Sequence, residues 1–393
     1  MQINQETKEI RFGDLYEIPS RNGVSKPKRV RGSGFPMVNM GEIFKYDKIY
    51  DSIGMELAPL TLKEQANSLL MDGDLLFARQ SLVAEGAGKC SIFKGTTRQT
   101  TFESHLIRVR LKKDIANPDF FYYYFSSPRG KAKTQSLVMQ VAAAGIRGSE
   151  LENLNVDYLP LKTQKAIAST LSLFDDLIEN NKRRIYILET LAQKIYTEWF
   201  VNFRFPGSEK IRFGNDGLPD GWEVKRVEDV IKRVSAGRRY ENKTVKPTGK
   251  VPVLDQGRSG IIGYHNDEPS VVASTDDPII VFANHTCYQN LIMFAFSAIQ
   301  NVLPFLPLDD RNVFWLHFAT KNLISFNDYK GHWPEFMTKK LNVPPVEVTD
   351  KFGREVRECI VLKYKLEKQN EILIKSRDLI LPQLVTGKLE IKS

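Results

Sequence analysis

Glu85-Gly-Ala-Gly-Lys89-Cys90 comes nearest to a phosphate-binding loop, in which backbone N–H groups cradle phosphate oxygens and a Ser or Thr hydroxyl holds the metal. Val83 fills the first glycine position and Cys90 stands where the hydroxyl belongs, so that chemistry fails. Asn342-Val-Pro344-Pro345-Val shares part of an Asn/Asp-Pro-Pro-aromatic pattern that holds an amine for methyl transfer. An inserted Val separates Asn from the prolines, no aromatic follows, and no glycine-rich cofactor fingerprint precedes it. Pro219-Asp220 followed by Glu223-Val-Lys225 has the residue types of a nuclease carboxylate cluster. Three residues do not set both carboxylates on adjacent strands around one metal, so it reads as a linker end leading into a helix. The five histidines, His105, His265, His285, His317 and His332, lack HExxH or comparable spacing and read as core or contact residues. Cys90, Cys287 and Cys359 form no CxxC pair, as expected of reduced thiols in a cytoplasmic protein. The chain reads as a binder with no metal or cofactor of its own, lending specificity to chemistry done elsewhere.

What remains is charge. The formal net charge is +9, and its placement says more than its size. Arg21 to Arg31 reads RNGVSKPKRVR, with five cations and no acid. Lys225 to Lys250 collects Lys225, Arg226, Lys232, Arg233, Arg238, Arg239, Lys243, Lys246 and Lys250 against three acids. Clustered cations are rewarded by a polyanion such as DNA through counterion release, and the Gly and Pro residues mark loops able to follow a backbone. Either run alone is equally a solvated loop that keeps the protein soluble; recurrence at matching positions favours nucleic acid.

The positions match because the chain says nearly everything twice. Arg11-Phe-Gly-Asp14-Leu15 and Phe35-Pro36-Met37-Val38 return as Arg226-Val-Glu-Asp229-Val230 and Val251-Pro252-Val253-Leu254. Asp74-Leu-Leu-Phe77-Ala78 returns as Asp277-Pro-Ile-Ile-Val-Phe282-Ala283, and Leu154-Asn155-Val156 as Leu341-Asn342-Val343. The landmarks keep their order while the residues between them differ, which suggests one fold presenting two binding surfaces to a two-part target.

Each copy runs into a long helix. From Gln164 to Phe200 there is no Gly or Pro, and a heptad seam runs through Ile167, Leu171, Phe174, Ile178, Asn181, Ile185, Leu188, Ala192, Ile195 and Trp199. From about Thr349 to Leu381 a rougher seam runs through Phe352, Val356, Cys359, Lys363, Leu366, Asn370, Leu373, Arg377, Ile380 and Leu384. Paired antiparallel, the helices would bury the two central Asn residues, which could bond to each other and fix the register. Each helix packing on its own domain, or homodimerisation, are the alternatives. At 1.5 Å per residue each would extend about 50 Å and serve as a spacer.

The bounds that follow are residues 1–158 and 221–343 for two α+β domains, 159–204 for the central long helix, 205–220 for a Pro- and Gly-rich linker, and 344–393 for the second helix and tail. Strands are expected at Asp74–Ala78, Ser104–Leu111 and Ile279–Ala283, and a buried helix at Pro118–Phe125. At 393 residues, 42% hydrophobic and 10% aromatic, the chain suffices for two cores. Residues 1–7 do not read as a signal peptide. The nearest candidate membrane span, Leu291 to Leu308, is broken by Gln300, Asn301, Pro304 and Pro307.

Several motifs together resemble the specificity subunit of type I restriction-modification enzymes over essentially the whole length. They are Leu159-Pro-Leu-Lys-Thr-Gln164-Lys-Ala-Ile-Ala leading into Phe174-Asp175-Asp-Leu-Ile-Glu179-Asn-Asn; Trp199-Phe200-Val201-Asn-Phe203; Leu218-Pro219-Asp220-Gly221-Trp222; Gly73-Asp74-Leu75-Leu76-Phe77-Ala78-Arg79; and Arg377-Asp378-Leu-Ile-Leu-Pro382-Gln-Leu-Val-Thr-Gly387. The resemblance implies two target-recognition domains separated by two long antiparallel helices in a coiled coil, a pseudo-twofold internal repeat. Each domain would read half of a split site in double-stranded DNA. The helices would dock two methyltransferase subunits that bind S-adenosylmethionine, and added motor-nuclease subunits would make a restriction enzyme. There are two departures: the second helix start lacks the Gln found at Gln164, and Ala283-Asn284-His285 replaces Ala78-Arg79-Gln80.

Contact residues follow from chemistry: Arg and Lys suit guanine edges or phosphates, Asn and Gln suit adenine. The first domain offers Lys26, Lys28, Arg29 and Arg31, then Arg79 and Gln80, then Arg147 and Ser149 in the Gly145–Ser149 loop. The second offers Arg238, Arg239, Tyr240 and Lys243, then Asn284 and His285, then Lys330 and His332 in the Lys330–Trp333 loop. Each is also a plausible surface or structural residue. An independent nuclease or methyltransferase, and a coiled-coil scaffold with incidental charge, are the competing functions.

Overall fold

The computed structural model describes residues 8–81, 86–138, 144–257, 260–326, 328, 330–389 and 391. Residues 1–7, and Val83 and Glu85 of the rejected phosphate loop, lie outside the described residues. The chain divides into two compact units, Met1–Glu179 with Asn370–Ser393, and Asn180–Gln369.

In the first unit, Tyr16–Asn22, Leu106–Leu111, Leu75–Ala78, Cys90–Lys94 and Lys48–Tyr50 form a five-stranded sheet in that order. Leu75–Ala78 is buried at every position, as an apolar run covered on both faces must be. Leu75 and Phe77 pack with Phe120, Phe121, Tyr124 and Phe125 of helix Pro118–Ser126, while Leu76 and Ala78 pack with Val38, Ile43 and Phe102 on the other face. That helix starts where Asn117 accepts the Phe120 N–H and Pro118 fills the first turn. Strand Phe35–Val38 pairs parallel with Thr101–Phe102. Lys8–Arg11 closes antiparallel on Asn155–Tyr158, the strand that leads into the long helix.

The second unit repeats this topology. Ile279–Ala283 lies between Val302–Pro307 and Gln289–Ile292, and Ile231–Arg233 sits outside Val302–Pro307. Val251–Leu254 pairs parallel with Ser297–Ile299, and helix Val313–Thr320 starts where Asn312 accepts the Phe314 N–H. Glu223–Arg226 closes on Lys340–Val343. That segment is therefore a strand and not the helix expected there, because its backbone groups are spent on a ladder. Only a single 3-10 turn, Val227–Asp229, follows it. The Pro- and Gly-rich stretch before it is anchored: Phe205 and Leu218 are buried with Trp222 and the helix-end Phe200.

The first long helix spans Leu161–Tyr196, 36 residues, and the second Val346–Val385, 40 residues, about 54 and 60 Å. The first continues through a π-helical turn, Thr197–Val201, and stops at Phe203, whose φ of 56° no helix tolerates. Within the first unit Asp175 meets Arg377 and the Ile178 carbonyl accepts from Asn370 Nδ2 at 3.5 Å. Within the second, Asn181 Nδ2 donates to Gln369 at 3.0 Å and Lys363 pairs with Glu189 at 2.9 Å. Rising numbers on one helix meet falling numbers on the other, so the pairing in each unit is antiparallel. All ten expected seam positions on the first helix are buried or half-buried, as are the ten on the second.

Each helix start is tied to its domain. Gln164, fully buried, accepts the Asn117 N–H at 2.7 Å and donates to the Leu159 carbonyl at 2.7 Å. Thr349, the fourth residue of the second helix as Gln164 is of the first, accepts the Asn312 N–H at 3.1 Å and donates to the Val346 carbonyl. The missing Gln is thus replaced by a shorter side chain serving the equivalent backbone donor. Thr can reach because Gly353 lets the second helix come close: a Cβ there would meet the Asn312 amide at 2.2 Å.

A polar hub binds head to helices in the first unit. Asp175 accepts from Tyr123 at 2.6 Å, Lys48 at 2.8 Å and Arg377 at 2.6 Å. Burial alone would raise its pKa; the Lys48 charge and the hydrogen bonds from Lys48, Tyr123 and Arg377 outweigh that and hold it below the ordinary carboxylate range.

Thr349→Val keeps the volume but strands the buried Asn312 N–H, and should cost about 1–3 kcal/mol in chemical denaturation. An unchanged midpoint would remove this anchor. Asp175→Asn should cost roughly 2 kcal/mol at neutral pH, less than for a fully buried pair. A carboxyl with depressed pKa stabilises above its unfolded value and loses that effect as pH falls. Wild-type and variant stabilities should therefore converge below about pH 4, and parallel curves would contradict the hub.

Candidate nucleic-acid interface

In the first unit three groups far apart in sequence meet at one sheet edge. The basic stretch leaves the sheet beside residues 102–106, where Gly23 donates to the Leu106 carbonyl and Ser104 to that of Val24. The Arg79 N–H bonds to the His105 carbonyl at 2.8 Å, and the Arg79 carbonyl accepts from Ile146 N–H at 2.9 Å. Gly145 pairs with Gln80 in a two-residue ladder. Gln80, Arg147 and Ser149 therefore share one rim, together with His105, read from the sequence as a core or contact residue but not among the expected DNA contacts.

The second unit builds the same rim from different residues. The Asn284 N–H bonds to the Asn301 carbonyl and its carbonyl accepts from His332 N–H, both at 2.9 Å. The basic stretch again runs beside this edge: Val234 donates to the Pro304 carbonyl, and Arg239–Tyr240 pairs with residues 298–299. Arg79, Gln80, His105 and Arg147 thus correspond to Asn284, His285, Asn301 and Trp333. His105 and Asn301 were legible only by asking what precedes the paired strand in each copy.

The expected contacts divide by their surroundings. Lys28 and Arg29 are exposed on a 3-10 turn with no ion pair among the described residues. Lys26 and Arg31 instead pair with Glu64 at 2.8 Å and Glu56 at 2.7 Å, with side chains only 15% and 17% exposed, and so brace the loop. Arg147 and Arg239 are exposed and unpaired among the described residues. Arg238 pairs with Asp267 at 3.0 Å, but both ends are well exposed, a partnership that a phosphate can displace at little cost. Lys243 and Lys330 are exposed beside Glu241 and Glu335.

Three expected contacts turn inward. Tyr240 is buried, stacked on His265 at 4.2 Å with its hydroxyl on Asp267. His332 is fully buried against the Asp328 carbonyl. Asn284 spends its amide oxygen on the Trp333 N–H at 2.8 Å. They position the rim rather than line it. His285 is half-buried, and its N–H donates to Gln256. Arg233, which lies over the Trp333 ring at 5.2 Å, joins the exposed set.

His265 and His317 are held in the interior. The backbone N–H of Asp267 donates to His265 Nδ1, so Nε2 carries the proton toward Ser297 Oγ and is not free to act as a base. Burial pushes the His317 pKa down to about 3. Among the described residues no group of three His, Cys, Asp or Glu side chains is placed to hold a metal ion, and no helix is long and apolar enough to cross a membrane.

Two equivalent frames with unlike rims define a two-part recognition protein. Residues 4–190 match the family model described as the type I restriction modification DNA specificity domain. The chain is 26% identical to the MjaIX type I restriction enzyme specificity subunit of Methanocaldococcus jannaschii, over 96% of this chain and 92% of that protein. It is 28% identical to the EcoKI specificity subunit of Escherichia coli strain K12 over 46% of this chain and 39% of that one. The solved S subunit of a type I restriction-modification system from M. genitalium shares the fold with a TM-score of 0.63 at 14% identity, covering 100% of this chain and 99% of that one. The chain is thus similar over nearly its whole length to specificity subunits of type I restriction-modification enzymes.

Arg147→Ala and Arg239→Ala should each weaken binding of a cognate duplex and reduce the salt slope by about one, leaving the fold intact. His332→Ala should instead lower thermal stability. Equal affinities across a salt-matched titration would take both arginines off the contact surface.

Proposed function

We propose that each unit reads one half of a split, asymmetric site in double-stranded DNA, and that the paired long helices dock two methyltransferase subunits and set the half-site spacing. The carrying observation is the repeated pair of backbone bonds that brings Arg79, His105 and residues 146–147 together in one unit and Asn284, Asn301 and residues 332–333 in the other. In this reading the chain is non-catalytic and binds no cofactor itself. S-adenosylmethionine is held by the methyltransferase subunits, and motor-nuclease subunits complete a cleaving assembly in the cytoplasm. Among the described residues no group of three His, Cys, Asp or Glu side chains is placed to hold a metal ion.

The helices support docking through apolar residues that the seam does not use. Leu173, Leu177, Ile187 and Leu191 on the first helix are 62, 48, 61 and 44% exposed, and Ile372 and Leu379 on the second are 64 and 70% exposed. A set this large on otherwise charged helices is the mark of a protein-binding surface. Leu173→Asp with Leu177→Asp should abolish co-purification with the methyltransferase subunits, while stability of the chain alone shifts by no more than about 0.5 kcal/mol per exposed site. Normal assembly would move docking off this face. Deleting the gene should erase adenine methylation at one bipartite motif in the host genome. An unchanged methylation map, or a purified chain that methylates or cuts DNA unaided, would overturn the proposed function.

A further inference from the structure

The rim of the first unit carries a polar pair that no recognition motif contains. His105 Nδ1 lies 3.1 Å from Gln80 Oε1, and both residues are accessible at the edge where the Arg79 N–H meets the His105 carbonyl. The Gln80 backbone is fixed by the ladder to Gly145, and its side chain is held by the bond to His105. His105 is held by two backbone neighbours, since Ser104 donates to Val24 and Leu106 pairs with Ala78.

One hydrogen bond between a carboxamide and a neutral imidazole leaves a defined remainder. If the carboxamide oxygen accepts from Nδ1–H, Gln80 keeps its N–H groups as donors and His105 keeps Nε2 as an acceptor. If the carboxamide is turned over, Gln80 offers its oxygen and His105 its Nε2–H. Either way the pair presents one donor and one acceptor, and neither group has another partner among the described residues. In the major groove guanine offers two acceptors, cytosine a donor and thymine an acceptor; adenine alone offers an acceptor and a donor side by side on one base.

We propose that Gln80 and His105 together read one adenine in the half-site recognised by the first unit, with His105 a specificity-determining residue. The pair divides between two side chains the bidentate contact that one Asn or Gln makes elsewhere. Arg79 and Arg147 on the same rim supply the charge that holds the backbone nearby. The second unit carries His285 and Asn301 at the matching positions, so the substitutions below concern the first half-site alone. This inference rests on the reading of the chain as a two-part DNA reader.

The test uses the full chain co-expressed with its methyltransferase subunits and a randomised duplex library. The wild-type assembly should select a bipartite site, and Gln80→Leu and His105→Phe should each relax the preference for adenine at one and the same position by roughly five- to hundredfold. The other half-site should be unchanged, which also reports that the variants are folded. In the selected duplex, replacing that adenine by 7-deazaadenine, which lacks the N7 acceptor, should weaken the wild type and leave unaffected one of the two variants, the one that has lost the donor to N7. A wild-type assembly that selects no bipartite site overturns the two-part reading and this assignment with it. A selected site whose preferences survive both substitutions, or relax at a position other than adenine, overturns this assignment alone.

Discussion

Each half of this protein depends on one ladder. Lys8–Arg11 closes on Asn155–Tyr158, and Glu223–Arg226 closes on Lys340–Val343, so the chain enters and leaves each domain at one place. Because the leaving strand runs directly into a long helix, the ladder also fixes where that helix departs. Gln164 and Thr349 then fasten the first helical turn to the backbone at the start of the domain's aromatic helix. Strand, helix start and core become one rigid joint. Loops at the far rim carry none of that load and are free to change their chemistry without changing the frame.

That division of labour explains how the charge is used. A net charge of +9 suggests a broad basic surface, yet several cations are committed to the frame. Lys26 and Arg31 hold their loop through Glu64 and Glu56, and Arg110 is locked on buried Asp74 at 2.7 Å. Arg108 is buried on the same strand, its charged form disfavoured by desolvation. Among the described residues, exposed cations with no ion pair include Lys28, Arg29 and Arg147 in one unit and Lys232, Arg239, Lys246 and Lys250 in the other. Electrostatic attraction from such groups supplies salt-sensitive affinity without sequence information, and selectivity has to come from shaped polar groups at the rim.

The fold was legible where periodicity and repetition speak. Leu75–Ala78, Ile279–Ala283 and Pro118–Ser126 lie within a residue of expectation, because apolar runs and the Asn-Pro start leave few alternatives. Both seams were legible because their three-and-four spacing is the burial pattern itself. Glu223–Arg226 was not, since a short, mostly exposed edge strand has no apolar signature and is defined only by its distant partner. The same limit applied to the rim. Arg147 stood out as an exposed Arg in a glycine-flanked loop, but His332 and Tyr240, equally suggestive in type, are interior, and only the ladder draws attention to His105. Residue chemistry proposes contacts; burial decides among them.

The polar positions inside the helix pair raise a question of cost. Asn181 and Asn370 are buried at 4 and 9% exposure, and Asp175 sits with two cations and a phenol where leucine would pack more cheaply. An apolar seam is nearly indifferent to sliding by one heptad, since each leucine finds another hole seven residues on. A slip would break the bonds of Asn181 to Gln369, of Asn370 to the Ile178 carbonyl and of Arg377 to Asp175, taking a partner from each of these polar groups. A slip of one heptad would move one helix along the other by about 10 Å, and these bonds resist it. The polar groups supply that resistance, at a stability cost that the long apolar seam around them offsets.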